Sequence, residues 1–121
     1  MSSMNRQKES RSKARSGRVV LVTCPTLALA RKIARAVVQK RFAACVNVVQ
    51  TPVESFYTWK GQLESAREHL LIIKTTTSRL PQLEREVKLQ HSYEVPEFIT
   101  LSITEGSADY LSWLQQVTGA D

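Results

Sequence analysis

Glycine is scarce in this chain: four residues, at positions 17, 61, 106 and 119, with no two close together. That excludes the G-x-G-x-x-G turn and the P-loop, which need clustered glycines so that backbone amides can approach phosphates. Cysteine is scarcer: Cys24 and Cys45 are too few for a disulfide scaffold or a four-thiolate zinc site. No H-E-x-x-H, C-x-x-C or G-x-S-x-G occurs, so the sequence carries no signature of a zinc protease, a dithiol redox centre or a nucleophile elbow. No stretch approaches the roughly 20 uncharged apolar residues of a membrane helix. At 121 residues there is room for one hydrophobic core and not for two.

Acidic residues are nearly missing from one end. Residues 1–18 hold Arg6, Lys8, Arg11, Lys13, Arg15 and Arg18 against Glu9 alone, whereas the remainder is almost balanced, with 11 basic and 10 acidic residues. The net charge of +6 therefore belongs mostly to the tail. Residues 1–17 have almost no apolar side chains to bury and are expected to be a disordered basic extension. Such a tail can hold an anionic surface electrostatically. The folded domain is expected over residues 18–119.

Residues 19–30 imitate a secretory leader, with a short apolar run after basic residues and Ala28-Leu29-Ala30 as a small-residue site. Pro25 and Thr26 interrupt that run, and Thr23 is a poor residue before a lipidated Cys24. The tail has the Ser/Arg composition of a transit peptide but no amphipathic apolar face. The expectation is a cytoplasmic protein with reduced thiols, partnered with neither a membrane nor a specific nucleic acid.

Val19–Cys24 is rich in β-branched residues, as suits a central strand. Over residues 27–41, Ala30, Ile33, Ala34, Val37 and Val38 recur at helical spacing, while Arg31, Lys32, Arg35, Lys40 and Arg41 lie mostly off that stripe, with no acid among them. Strands are predicted over Ala44–Gln50, Glu54–Lys60, Glu68–Thr76 and Glu97–Thr104, with Lys60-Gly61 as a turn. His69 is expected to point outward. Ser78 is placed to cap a helix carrying Leu80, Leu83 and Val87, with Pro81 tolerated in its first turn. Ser107 and Asp109 open a last helix, and Gly119 ends it. This order is βαββαβ plus a C-terminal helix: an α+β domain of the ferredoxin-like split βαβ arrangement, with helices on one face of an antiparallel sheet. Its aromatic strand, with Tyr57 and Trp59 on one side and Phe56 on the other, is more than so small a core can cover. Oligomerisation through strand pairing is the expected remedy.

The densest polar cluster is His91-Ser92-Tyr93-Glu94-Val95-Pro96-Glu97, between a helix and a strand, where functional loops often lie. It reads either as a metal or small-anion site, or as a helix end followed by a strand start, with His91 favourable near the helix C-terminus. Glu64 and Glu68 join the same site if the hairpin folds over this loop; otherwise they are ordinary hairpin charges. Cys24 and Cys45 read first as small core residues. A soft copper site wants thiolate and imidazole together, which makes Cys24 with His91 the pairing to test.

Five stretches carry a family resemblance: Ala43-Ala44-Cys45-Val46-Asn47, Tyr57-Thr58-Trp59-Lys60-Gly61, Leu71-Ile72-Ile73-Lys74-Thr75, His91 to Glu97, and Asp109-Tyr110-Leu111-Ser112-Trp113-Leu114. In this order they resemble the divalent-cation tolerance protein CutA family over roughly residues 18–117. The resemblance implies a ferredoxin-like fold assembled as a tight homotrimer, similar in shape to PII signalling proteins. It also implies a non-catalytic role in tolerance of, or response to, divalent metal ions, with copper binding by some members; the cation expected here is copper or zinc. Where the family's copper ligands are assigned they are a cysteine and two adjacent histidines; the aligned positions here are Val22, Gln90 and His91, with Cys24 two residues beyond Val22. The expected metal residues are His91 and Cys24. The expected ligand cleft, between subunits, is formed by Tyr57, Trp59, Glu64, Glu68, Tyr93 and Glu97. The alternative is a PII-like signalling or scaffold protein that binds a protein partner without metal.

Overall fold

The structure is a computed structural model that describes residues 16–119. The expectation of a disordered tail over residues 1–17 therefore falls, apart from Ser16 and Gly17, outside the described residues. Gly17 already belongs to the domain, because the first strand, β1, runs Gly17–Cys24 and pairs Gly17 with Thr76.

Helix α1 follows over Leu27–Gln39, then β2 (Cys45–Val48), β3 (Val53–Trp59) and β4 (Gln62–Thr76). A 3₁₀ turn, Thr77–Arg79, leads into α2 (Leu80–Gln90), followed by β5 (Ile99–Ser102) and α3 (Ala108–Thr118). The sheet order is β2-β4-β1-β5, with β3 also pairing with β4, and every pairing is antiparallel. The 15-residue β4 is the spine: its second half pairs with β1 and β2, and its first half stands out as a hairpin arm with β3.

Strand alternation sorts the sheet into two faces. Val20, Val22, Cys24, Leu71 and Ile73 point toward α1 and α2, where they bury against Ala30, Ile33, Val37, Leu83 and Val87. The opposite face carries Val19, Leu21, Leu70, Ile72, Ile99 and Leu101, which the register places beside one another. Only one end of this second face is covered. There α3 packs Leu111 and Leu114 against Ala44 and Ile103, and Thr118 bonds Thr76. The two helices of the βαββαβ core share one face, and the C-terminal helix α3 lies across the sheet from them. Ile99 and Leu101 remain 48% exposed, on a layer with no cover of its own.

The helix ends show which local signals were used. Thr26 caps α1 by accepting from the Leu29 amide, and Ser107 caps α3 by accepting from Tyr110. Ser78 does not cap α2; its hydroxyl bonds Thr76, and Arg79 holds the cap position without a side-chain bond. The last carbonyls of α3 are met from elsewhere in the chain, by Arg41 on Val117 and by Arg79 on Thr118 and Gly119. His69 is corrected too: it is half-buried on the face of Cys24 and Leu71, with Nδ1 3.1 Å from the Val49 carbonyl oxygen.

The hairpin turn is Lys60-Gly61, with φ of 51° and 78°, the left-handed pair that a two-residue type I′ loop requires. A Cβ at Gly61 would meet nothing within 4 Å, so the cost of a side chain there is purely conformational. Gly61→Ala should lower stability by about 1 kcal/mol, read as a shift of the denaturant midpoint without a change of slope.

Candidate functional site

The cleft lies on the uncovered face, at the end of β1 away from α3. Three elements build it. The hairpin arm supplies Ser55, Phe56, Tyr57, Trp59, Glu64 and Glu68; the loop after α2 supplies Ser92, Tyr93, Glu94, Val95 and Glu97; β1 supplies Thr23. The volume is about 660 Å³. All six residues expected to form a ligand cleft line this one space. The hairpin accounts for four of them, because the pairs Tyr57↔Glu64 and Trp59↔Gln62 hold an aromatic wall and a carboxylate on one face of the arm.

No lysine or arginine is among the described lining residues, and four carboxylates are. Glu68 is the deepest of them, 6% exposed, and its Oε2 accepts a 2.8 Å hydrogen bond from the Tyr93 hydroxyl. Tyr93 stays a donor: burial, and then the Glu68 carboxylate that it serves, push its phenol well above the ordinary value. Glu97 is held above the usual carboxylate range, first by burial and second by the charge of Glu68. A carboxylate raised in this way, beside the buried Glu68, makes a site that gains from a cation.

His91 is behind the cleft, not in it. Its Nε2 is 2.8 Å from the Thr23 carbonyl oxygen, and its Nδ1 accepts from the Tyr93 amide at 3.0 Å. Accepting at Nδ1 puts the proton of the neutral ring on Nε2, which donates to Thr23. The ring also packs on Tyr93, with centroids 4.7 Å apart. Both nitrogens are engaged, so His91 clamps the loop to β1 and aims Tyr93 at Glu68. Cys24 is fully buried, and burial, followed by the Glu68 charge, pushes its thiol up to about 11. It is a neutral core thiol at physiological pH, and metal ligation at Cys24 requires its deprotonation.

Among the described residues, no three His, Cys, Asp or Glu side chains come together as a metal-holding group. The donor set that does converge is oxygen: carboxylate and phenol. That suits a hard divalent cation keeping part of its water shell, since such ions are held by one or two carboxylates plus water. It does not suit a closed thiolate–imidazole copper cage. Sequence reasoning placed Glu94 in the polar cluster but left it out of the cleft, and missed Ser55 and Phe56. The alternation that identified Tyr57 and Trp59 could have found Ser55, two residues earlier on the same face.

The fold and site together define a small α+β domain with an antiparallel sheet, three helices and an anionic, aromatic-walled cleft on its open face. Comparison with known proteins makes the class specific. The family model of the CutA1 divalent ion tolerance protein matches residues 18–117. The divalent-cation tolerance protein CutA of Thermus thermophilus is 48% identical over 101 residues, which is 84% of this chain and 97% of that protein. Protein CutA of Mus musculus is 48% identical over 97 residues, or 80% of this chain, and this chain spans 54% of the mouse protein. Among solved structures, the Thermus thermophilus protein superposes with a TM-score of 0.83 at 47% identity, covering 85% of this chain and 99% of that one. CutA1 from Oryza sativa gives 0.84 at 39% identity, covering 90% and 99%. The chain belongs to the CutA1 divalent ion tolerance family.

Proposed function

We propose that this protein is a non-catalytic, ferredoxin-like homotrimer that holds a divalent cation, copper, zinc or a harder ion, weakly and reversibly in clefts between its subunits. The observation that carries the reading is the position of the cleft. Glu68, Tyr93 and Glu97 open on the same sheet face that leaves Ile99 and Leu101 half-exposed, so a copy seated on that apolar layer would also wall the cleft. Symmetry would repeat the site. Strand edges and exposed apolar faces of this kind are ordinarily covered by a neighbour. The relatives' naming as divalent-cation tolerance proteins supports that role. Both cysteines are free thiols, in keeping with a reducing cytoplasm; the CutA of Archaeoglobus fulgidus is described as periplasmic and that of Arabidopsis thaliana as chloroplastic.

The test is a cation titration across pH. A cation binds the ionised carboxylates, so affinity should fall as pH drops through the raised value of Glu97, above the ordinary 4.5. The cation-free protein should show the opposite sign from this group. A raised carboxylate stabilises the fold most below its unfolded value, and that contribution is lost as pH rises through the folded value. Calorimetric titration of Zn²⁺, Mg²⁺ and Cu²⁺ at several pH values checks this; affinity independent of pH would remove Glu97 from the site.

A further inference from the structure

The near-neutral domain is sharply divided in charge. Residues 27–41 hold five cations and no acid, and residues 77–90 hold three cations and two acids. The rest of residues 19–119 has three cations, Lys60, Arg67 and Lys74, against seven acids. The helical layer is therefore cationic and the sheet-and-cleft side anionic. Residues 1–15 add five cations against Glu9.

Half of the eight cations on the helical layer have partners in the fold. Lys40 bridges Glu86 at 2.9 Å, Lys88 bridges Glu84 at 2.8 Å, and Arg41 and Arg79 cap α3. Arg31, Lys32, Arg35 and Arg85 are exposed and, among the described residues, make no ion pair. Arg31 and Arg35 are one turn apart, and Lys32 and Arg35 three residues apart, spacings at which like charges repel and destabilise a helix. Helix α1 has no acid in its first turn and no base in its last, so its charges do not serve its dipole either. An ordinary solvated helix mixes signs; this one does not.

We propose that the outer face of α1 and α2, centred on Arg31, Lys32, Arg35 and Arg85, is a docking surface for the phosphate backbone of a nucleic-acid duplex, bound without regard to sequence. Charge complementarity selects the occupant. Neutralising backbone phosphates asks only for cations. A protein partner would need a desolvated apolar or aromatic anchor, and this face exposes only Val38 and Leu89 as large apolar groups. A membrane would need an apolar or lipid anchor beside the charge. No aromatic residue lies on these two helices for stacking unpaired bases, as single-strand binders require. In the assembly proposed above the helical layers face outward, so each subunit would offer the surface.

The experiment compares the full-length protein with its Arg31→Gln/Lys32→Gln/Arg35→Gln/Arg85→Gln variant, by fluorescence anisotropy on a 30-base-pair duplex of random sequence over a series of salt concentrations. Circular dichroism verifies that the variant folds, and Arg31→Lys/Arg35→Lys serves as the charge-conserving control. The wild type should bind with an affinity that falls steeply with salt. The quadruple variant should lose about tenfold or more in affinity at low salt, with the log–log salt slope shallower by about 3 to 4. The lysine control should bind like wild type. Unchanged affinity and slope in the quadruple variant would overturn the proposal by leaving the basic tail as the binder. Absence of duplex binding, alone or with binding to phosphatidylserine vesicles, would overturn it as well.

Discussion

Glu68→Gln should abolish most cation binding and leave the cation-free fold as stable as before, or more so. The two halves of this expectation have one cause. Glu68 is a carboxylate held 6% exposed, beside Glu97, with a single hydrogen bond from Tyr93. Burying a charge is costly unless it is paired, and among the described residues no cation lines the cleft. Glutamine keeps the shape and an oxygen for Tyr93 while removing the charge. Metal-free stability should then hold or rise, and Glu97 should move back toward its ordinary value only in part, because burial is the larger cause of its shift. Affinity for a divalent cation should fall at least about tenfold, since 1.4 kcal/mol suffices for that and a carboxylate near a dication is worth more. Denaturant unfolding and calorimetric titration on the same preparations check both halves. Lost stability with intact affinity would make Glu68 a structural residue.

His91→Ala should do the reverse and damage the fold first. It removes the donor to Thr23 and the acceptor for the Tyr93 amide, and leaves a cavity under Tyr93. Unmet buried backbone groups cost about 1–3 kcal/mol each, so a loss of about 2–4 kcal/mol is expected without any cation present. Cation affinity should drop as a consequence, through a Tyr93 no longer aimed at Glu68. Were His91 a ligand instead, the cation-free protein would keep its stability and only the titration would change. Unfolding measured in a chelator separates the two.

Much of this was legible in the chain. The stripe of α1, the buried runs of β1 and β4 and the alternation of β5 were strong because one face of each is driven against a core. The first half of β4 was not: in Gln62 to Arg67 only Leu63 and Ala66 are apolar, three residues apart, and the hairpin arm stands clear of the core, so no apolar alternation marks it as strand. The cap of α2 was misplaced because Ser78 has a competing partner in Thr76, which no local pattern reveals. The side of the sheet on which α3 lies depends on its packing against Ala44, which is distant in sequence. In the site, residue types and strand parity brought the cleft residues to one place. The position of His91 behind it depends on a bond to a residue 68 positions away, beyond any sequence motif.

The most direct test of the account is the mass of the purified protein in solution by light scattering. A cleft completed by neighbours and an apolar sheet face covered by them require about three times the 13.7 kDa of one chain, with little dependence on concentration. A species of 13.7 kDa, with Ile99 and Leu101 left to solvent, would contradict it.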